Sequence, residues 1–336
     1  MKRLFITLIC STLGAAGLMA QTDLQKAMAE AAAAYSEAPK QEEKVQKPQY
    51  WTNSIELMLG FNQTGLFKWA AGGYNTVTLN LGFDAKAKYS KDLMSWSNRL
   101  QTQYGFLWSE DKENLLQKSN DLMYLESTWA YKTGSKSKWN YTASFDFRSQ
   151  FSDSYDKYKL DEQTGKWTGT LKSGLFAPAY TNLAFGMEWT PTSWFNVNIA
   201  PFTGSYTLCR IEELRKTYGM KLREEGLDPD VGANYRSSLF QLGAQLKFNL
   251  ALSVNDVFKY ETQLVLFTDY LNKPFKENRV NWDNKISWQA ARFFKIALNT
   301  WMIYDPRVLI DGEQKVQFKE FFSVNFTYTI SNKKKS

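Results

Sequence analysis

The stretch TVTLNLGFDAKAKY, residues 76–89, alternates between two kinds of side chain along its whole length. Its odd positions carry valine, leucine, phenylalanine, alanine and tyrosine, whereas its even positions carry threonine, asparagine, glycine, aspartate and lysine. A period of two is typical of a β-strand with one apolar and one polar face. The alternation recurs at 139–148 and 240–250. These runs exceed the roughly 5–6 residues of ordinary strands and suit the roughly 9–11 residues of a tilted transmembrane strand.

The same period, followed outward along the chain, predicts twelve strands. They are 54–62, 74–90, 93–109, 120–133, 137–151, 181–191, 194–208, 236–253, 256–271, 279–290, 293–305 and 315–330. Every second connection, beginning after the second strand, is a tight turn, whereas the others are longer. Such alternation is typical of outer-membrane barrels, and the competing fold, a soluble sandwich, gives no reason for it. The sequence therefore predicts an all-β protein, a transmembrane antiparallel up-and-down β-barrel over residues 51–331, with both termini periplasmic.

Composition favours the same fold. Aromatic residues make up 16% of the chain, yet the mean hydropathy is −0.45. Aromatic girdles at both membrane interfaces, combined with a polar lumen, explain this combination. For loop residues such as Trp69 and Trp167, a binding track for sugars is the alternative interpretation.

The N-terminus predicts export from the cytoplasm. Residues 1–3 form a basic start, an apolar run covers 4–18, and a small residue, Ala20, follows. This is the pattern of a signal peptide over residues 1–20 with cleavage near Ala20. For an exported β-barrel, the expected location is the outer membrane. The residue before Cys10 is Ile9, which fits a lipoprotein signal (lipobox) poorly. Once the signal peptide is removed, Cys209 is the one cysteine left, so no internal disulfide can form.

Three further segments carry no barrel pattern. Residues 21–50 are predicted to be a periplasmic tether, either helical or disordered, with a helix that plugs the lumen as the alternative. Residues 332–336 form a basic tail. Residues 211–226 are predicted to contain one or two helical turns, which either stay solvated or fold over the mouth of the barrel.

The absence of histidine limits the chemistry of this protein. It removes the usual general base for a serine or cysteine nucleophile and the imidazole ligands of metal ions. We therefore predict no enzymatic activity, no metal site and no cofactor. Positive charges are interleaved with acidic ones, which also disfavours nucleic-acid binding.

The polar face of each strand supplies the candidate site residues. The predicted lumen constriction comprises Asp84, Lys86, Arg99, Glu126, Asp146, Arg148, Glu188, Lys247, Asp283 and Lys285. Other charged residues of this phase are Lys88, Lys259, Glu261, Lys295 and Lys319. Either these groups pair with one another and close the lumen, or they form a polar eyelet that selects solutes. Arg148 and Asp146 point inward two residues apart and are the best candidates for the narrowest point.

Several segments in combination resemble a known family. They are FKWAAGGYN at 67–75, FDFRSQF at 145–151, LFAPAY at 175–180, PFTG at 201–204, VNW at 280–282 and FKE at 318–320. Together they resemble a Bacteroidetes family of outer-membrane barrel proteins known as a domain of unknown function. The resemblance covers nearly the whole chain after about residue 50. It implies an outer-membrane β-barrel and brings no activity, ligand or catalytic residue with it.

Two functional hypotheses follow for a barrel that contacts outer-membrane lipid. The first is a narrow or gated channel or transporter for small polar solutes. The second is a closed barrel that docks other envelope proteins through its longest loops, 152–180 and 209–235, or through the tether.

Overall fold

In the computed structural model, the chain forms a closed antiparallel β-barrel of twelve strands. The structure describes residues 30, 49–64, 74–112, 115–255, 257–271, 275, 278–310 and 312–332. The predicted signal peptide, nearly all of the predicted tether, the family-like segment up to residue 73 and the basic tail beyond residue 332 lie outside the described residues.

The twelve barrel strands follow one another along the chain, each pairing with the next. They are β1 (Trp51–Thr64), β2 (Thr76–Lys91), β3 (Met94–Ser109), β4 (Leu116–Lys132), β5 (Trp139–Ser149), β8 (Ala179–Thr192), β9 (Phe195–Leu208), β10 (Ser238–Ser253), β11 (Phe258–Asp269), β12 (Asn278–Ala291), β13 (Phe294–Tyr304) and β16 (Gln317–Ser331). The pairing of β1 with β16 closes the barrel. Each of these strands overlaps a predicted one, so the prediction of a twelve-stranded barrel is confirmed.

Two small hairpins lie outside the barrel, in its long loops. They are formed by β6 (Ser154–Asp161) with β7 (Lys166–Ser173), and by β14 (Leu309–Ile310) with β15 (Glu313–Gln314). Neither hairpin was predicted, because alternation over so few residues does not distinguish a strand from a loop. Within 211–226, the helical structure is a 3₁₀ turn at Glu212–Leu214 followed by further turns. Among the described residues, no helix is long and apolar enough to cross a membrane.

The barrel is apolar outside and polar inside. On β1, the side chains of Leu57, Leu59 and Phe61 are 46%, 45% and 52% exposed on the outer surface. The interior holds the buried polar side chains Asn80, Asp84, Asn120, Thr142, Asn198, Gln245, Lys247, Ser323 and Asn325. Water-soluble proteins have the opposite arrangement, whereas transmembrane barrels have this one, with strands that alternate between lipid and lumen.

An aromatic band surrounds the end of the barrel that carries the short turns. The ring of Trp51 lies 5.2 Å from Tyr89 and 6.0 Å from Trp96, between centroids. Trp139 and Trp189 lie 6.4 Å apart further around the same rim. Aromatic rings favour membrane interfaces because they join an apolar body to a polar edge. The band is therefore placed as an interfacial girdle would be.

This arrangement makes a prediction about depth in the lipid. Leu125 lies midway along the outer face of β4, and Tyr131 lies on the same face near the short-turn end. An arginine in place of Leu125 is expected to lower the free energy of unfolding by about 2–4 kcal/mol, since the charge would be held in hydrocarbon. Tyr131→Arg is the matched control and should cost about 1 kcal/mol or less. Denaturant unfolding in phospholipid vesicles measures both, and equal costs would contradict a membrane-spanning β4.

Candidate functional site

A cavity of about 510 Å³ occupies the interior of the barrel. At one end it is lined by Ser193 and Trp194, which belong to the short β8–β9 connection. At the other end it is lined by Tyr218 and Asp305, which belong to the long loops after β9 and β13. The cavity therefore extends along the barrel from the short-turn end to the long-loop end. Its volume lies within the range of small-molecule sites, roughly 300–1,000 Å³.

Most of the predicted site residues line this cavity. Those that do are Arg99, Glu126, Asp146, Arg148, Lys247, Asp283 and Lys285. Asp84, Lys86 and Glu188 are not among the lining residues. Asp84 is covered by Arg99, the side chain of Lys86 is 49% exposed beside it, and Glu188 accepts hydrogen bonds from Asn140 and Thr190.

Two hydrogen-bonded contacts cross the lumen. The ammonium of Lys247 on β10 lies 3.0 Å from the carboxylate of Glu126 on β4. The ammonium of Lys319 on β16 donates to the side-chain oxygen of Asn120, also on β4, over 3.2 Å. In the closed strand order, β10 and β16 are each four strands away from β4. These contacts are therefore chords across the interior, and they narrow the cavity.

Other ion pairs run along the wall. Arg99 donates two hydrogen bonds of 3.0 and 2.6 Å to Asp84 on the adjacent strand. Lys295 on β13 lies 2.5 Å from Glu56 on β1, two strands away. Buried charges need partners of opposite sign because desolvation is costly. These pairs therefore neutralise the wall on the side where β1, β2 and β3 lie.

Six charged residues that line the cavity have no ion-pair partner in the described part of the chain, namely Arg148, Arg279, Lys285, Asp146, Glu261 and Asp283. Among the described residues, no carboxylate lies at ion-pair distance from Arg148 or Arg279. Arg279 instead donates a 2.9 Å hydrogen bond to the Ser205 hydroxyl and lies 4.3 Å above the Phe267 ring. One carboxylate oxygen of Asp283 has no hydrogen-bond partner in the described part of the chain. Arg148, Arg279 and Asp283 lie in the half of the cavity nearer the long loops.

Three inward-facing residues form a row across three neighbouring strands in the half of the lumen nearer the long loops. Asp283 on β12 is the register partner of Trp301 on β13, and Trp301 is the register partner of Lys319 on β16. The Lys319 ammonium lies 5.3 Å from the Trp301 ring centroid. In the closed strand order, the strand of Arg148, β5, is five strands away from those of Asp283 and Lys319, and Arg148 lines the same cavity. Arg148 therefore faces the row from the opposite wall.

Sequence reasoning missed Glu56, Arg279 and Trp301. Arg279 shares the inward phase of Asp283 and Lys285, so the period of two could have found it. Trp301 shares the phase of Lys295 in the same way. Trp301 was not placed in the lumen because aromatic residues in a barrel usually belong to the interfacial girdles.

The long loops pack together over the mouth of the barrel. An apolar cluster forms there from Ala177, Cys209, Leu214, Met220, Tyr235 and Leu239. The hydroxyl of Tyr218 donates a 2.9 Å hydrogen bond to the Lys172 carbonyl, and this joins the loop after β9 to the β6–β7 hairpin. We call residues 174–178 and 209–237 the cap. Because Tyr218 also lines the cavity, the cap forms one end of the lumen.

A buried arginine holds the cap together. The Arg215 guanidinium donates to the main-chain carbonyls of Cys209, Arg210 and Tyr235 and to the Glu212 carboxylate. Burial raises the pKa of the neighbouring Cys209 thiol to about 11. Burial likewise raises the pKa of Tyr218 above its ordinary value. Both groups are therefore neutral at physiological pH.

The loop between β13 and β16 supports the cap from below. Arg307 donates two hydrogen bonds to the Asp305 carboxylate and a third to Gln241 on β10. Burial opposes the charge of Asp305, but the Arg307 guanidinium holds the pKa of that carboxyl below its usual value. The stabilisation is thus present at neutral pH and is lost as the pH falls through this lowered pKa. The loop also packs closely against the cap at Gly219, which has φ +70°. A Cβ at this position would lie 2.6 Å from the Cβ of Arg307, so a larger residue would clash there.

Across the described ranges, no three histidine, cysteine, aspartate or glutamate residues form a group that could hold a metal ion.

One family model matches part of this chain. Residues 61–155 match a family described as "Protein of unknown function (DUF3078)". This confirms the resemblance to a domain of unknown function for that stretch, whereas the Bacteroidetes origin stays a prediction. No curated protein matches the chain in sequence.

Solved structures of outer-membrane barrels are similar at low identity. The translocator domain of the autotransporter NalP from Neisseria meningitidis is 9% identical with a TM-score of 0.36, covering 92% of this chain and 96% of that one. An outer membrane channel from Pseudomonas putida F1 is 9% identical with a TM-score of 0.36, covering 86% and 98%. The NanC porin is 9% identical with a TM-score of 0.33, covering 82% and 97%. Likenesses this distant leave function to be argued from the residues of this chain.

The cap makes a prediction about thiol reactivity. With a raised pKa and full burial, Cys209 should react slowly with a maleimide at pH 8, since the thiolate is the nucleophile. Arg215→Met is expected to remove the side-chain donor from the Cys209 and Arg210 carbonyls, at about 1–3 kcal/mol each, and to speed labelling about tenfold or more. Lys216→Met, at the next residue, is the control, because Lys216 pairs only with the exposed Asp230. Mass spectrometry follows the labelling, and equal rates in the two variants would contradict the role given to Arg215.

Proposed function

We propose that this protein is an outer-membrane β-barrel that forms a narrow channel for small polar solutes. The observation that carries the proposal is the polar cavity that extends from the short-turn end to the long-loop end. The apolar outer face and the aromatic band support the membrane location. In the proposed orientation, the termini and short turns face the periplasm and the long loops face outward, as in other barrels of this kind.

The proposed channel is narrow and gated. The Lys247–Glu126 and Lys319–Asn120 chords restrict passage within the barrel. The cap restricts it at the outer mouth, where Tyr218 lines the cavity. A solute would have to displace side chains at the chords, and the cap would have to open for solutes larger than the gaps around it.

A closed barrel that docks another envelope protein is the second candidate. It is favoured by the β6–β7 hairpin, which projects an ordered surface with Tyr155 and Leu160 exposed at 43% and 49%. Loops 152–180 and 209–235 would then form the docking surface, and the chords would serve stability alone. Catalysis is not proposed, since the chain contains no histidine to serve as general base.

The orientation can be tested by labelling. A cysteine replaces Thr164, at the exposed tip of the β6–β7 hairpin, or Lys91, at the β2–β3 turn, in a Cys209→Ser background. The cysteine at 164 should react with a membrane-impermeant maleimide on intact cells, whereas the one at 91 should react only after the outer membrane is opened. Reversed labelling would contradict the proposed orientation.

The channel itself can be tested by conductance in planar bilayers. Replacing both Glu126 and Lys247 with alanine removes a chord without leaving a lone buried charge, so the conductance should rise severalfold. Replacing Asp84 and Arg99 with alanine is the matched control. It removes a wall pair between adjacent strands, and the increase should be clearly smaller.

Folding of each variant is checked by circular dichroism before it is inserted. Silence of the wild type and of the Glu126→Ala/Lys247→Ala variant, both folded, would refute the channel and favour the docking barrel. Equal increases in both pairs of variants would refute the role of the chord.

A further inference from the structure

We infer that the long-loop half of the lumen binds small organic anions, with the carboxylate at Arg148 and a flat apolar body against Trp301. We call this region, lined by Arg148, Arg279, Asp283, Trp301 and Ile303, the anion chamber. The inference deepens the proposed channel by naming its substrate class, and it rests on that channel for its biological meaning. Binding can nevertheless be measured in a barrel that does not conduct.

The first observation is an imbalance of charge. Arg148, Arg279 and Lys319 face this region, and in the described chain none of them has a carboxylate at ion-pair distance. The acidic groups nearby are mostly engaged with other partners. Asp305 pairs with Arg307, Asp121 pairs with Lys118, and Asp146 accepts a 2.7 Å hydrogen bond from Asn182.

Asp146 and Asp283 are the acidic groups that have no ion-pair partner among the described residues. Three cations therefore face two carboxylates, which leaves an excess of one positive charge. Because partly buried charges favour a partner of opposite sign, the balance favours a bound anion.

The second observation is an apolar surface in an otherwise polar interior. Trp301 and Ile303 lie on β13 in the inward phase, which they share with the buried Ala297. Phe321 on the neighbouring strand β16 also lines the cavity. An indole ring presents a flat apolar face, which favours stacking with another flat group. A small inorganic anion would leave this surface unused.

The third observation is that the two features lie on opposite walls. Arg148 is on β5 and Trp301 on β13, which are six strands apart in either direction around the barrel. Asp283, the register partner of Trp301, would repel a carboxylate from that wall. An anion with an apolar body is therefore oriented, its charged end toward Arg148 and its body toward Trp301. Arginine suits this role because its fork binds both oxygens of a carboxylate.

The test measures binding to the full chain refolded in detergent, by isothermal titration. Benzoate combines a carboxylate with a flat apolar ring, acetate lacks the ring, and benzylammonium reverses the charge. Benzoate should bind at least about tenfold more tightly than benzylammonium, since one charge-assisted contact alone corresponds to that factor. It should also bind at least about tenfold more tightly than acetate, since burial of its ring against Trp301 contributes a comparable free energy.

Three variants separate the contributions. Arg148→Gln should weaken benzoate about tenfold or more, whereas Trp301→Leu should weaken benzoate but leave acetate unchanged. Lys136→Gln, in the exposed β4–β5 turn, removes one positive charge far from the lumen and should change neither. This pattern distinguishes a located site from general attraction of anions to a basic protein.

The outcomes separate this inference from the proposed channel. Benzoate binding that is lost in Arg148→Gln supports the anion chamber, even if bilayers stay silent and the channel is refuted. Absence of benzoate binding to folded wild type overturns the chamber, even if the barrel conducts. Equal binding of benzoate and benzylammonium, or benzoate affinity unchanged in both lumen variants, also overturns it.

Discussion

The structure depends on one constraint, which is that the sheet must close on itself. A strand exposed to hydrocarbon has no water to satisfy its N–H and C=O groups, so an open sheet edge is excluded there. The pairing of Ser54–Gly60 with Ser331–Asn325 removes the last edges of this sheet. Once the sheet is closed, every strand has an inner and an outer face, and the period of two in the sequence becomes a division between lumen and lipid.

Closure also determines how the interior charges can meet. Along the wall, partners come from adjacent strands, as with Arg99 and Asp84. Across the lumen, a ring of twelve strands is narrow enough for Lys247 to reach Glu126 four strands away. A wider barrel would leave such groups to water, as in open porins of roughly 16–18 strands. Among the described residues, the lumen is therefore crossed by paired groups in some places and left with unpaired charge in others.

The lumen of the barrel and the core of the cap bury opposite kinds of side chain. The barrel buries polar side chains because its outer surface contacts lipid, whereas the cap buries Cys209, Leu214 and Met220 because its outer surface contacts water. Arg215 connects the cap backbone by donating hydrogen bonds to the carbonyls of Cys209 and Tyr235. Arg307, held by Asp305, lies beneath Gly219 and joins this water-soluble part to the barrel wall. The mouth of the lumen is thus a folded element, and its stability bears directly on access.

The sequence by itself determined the number of barrel strands, their approximate bounds and the inward phase of residues such as Lys247 and Asp283. It could do so because alternation is a local property that a strand carries wherever it pairs. Only the tertiary structure decided that Lys247 meets Glu126, 121 residues earlier in the chain. It alone decided that Arg148 has no ion-pair partner among the described residues and that Trp301 lies on the opposite wall. Those relations depend on which strands become opposite when the barrel closes, and no local pattern records that. For the cap, the sequence predicted helical turns within 211–226 but left open whether they fold over the mouth, because that depends on packing between segments far apart in the chain.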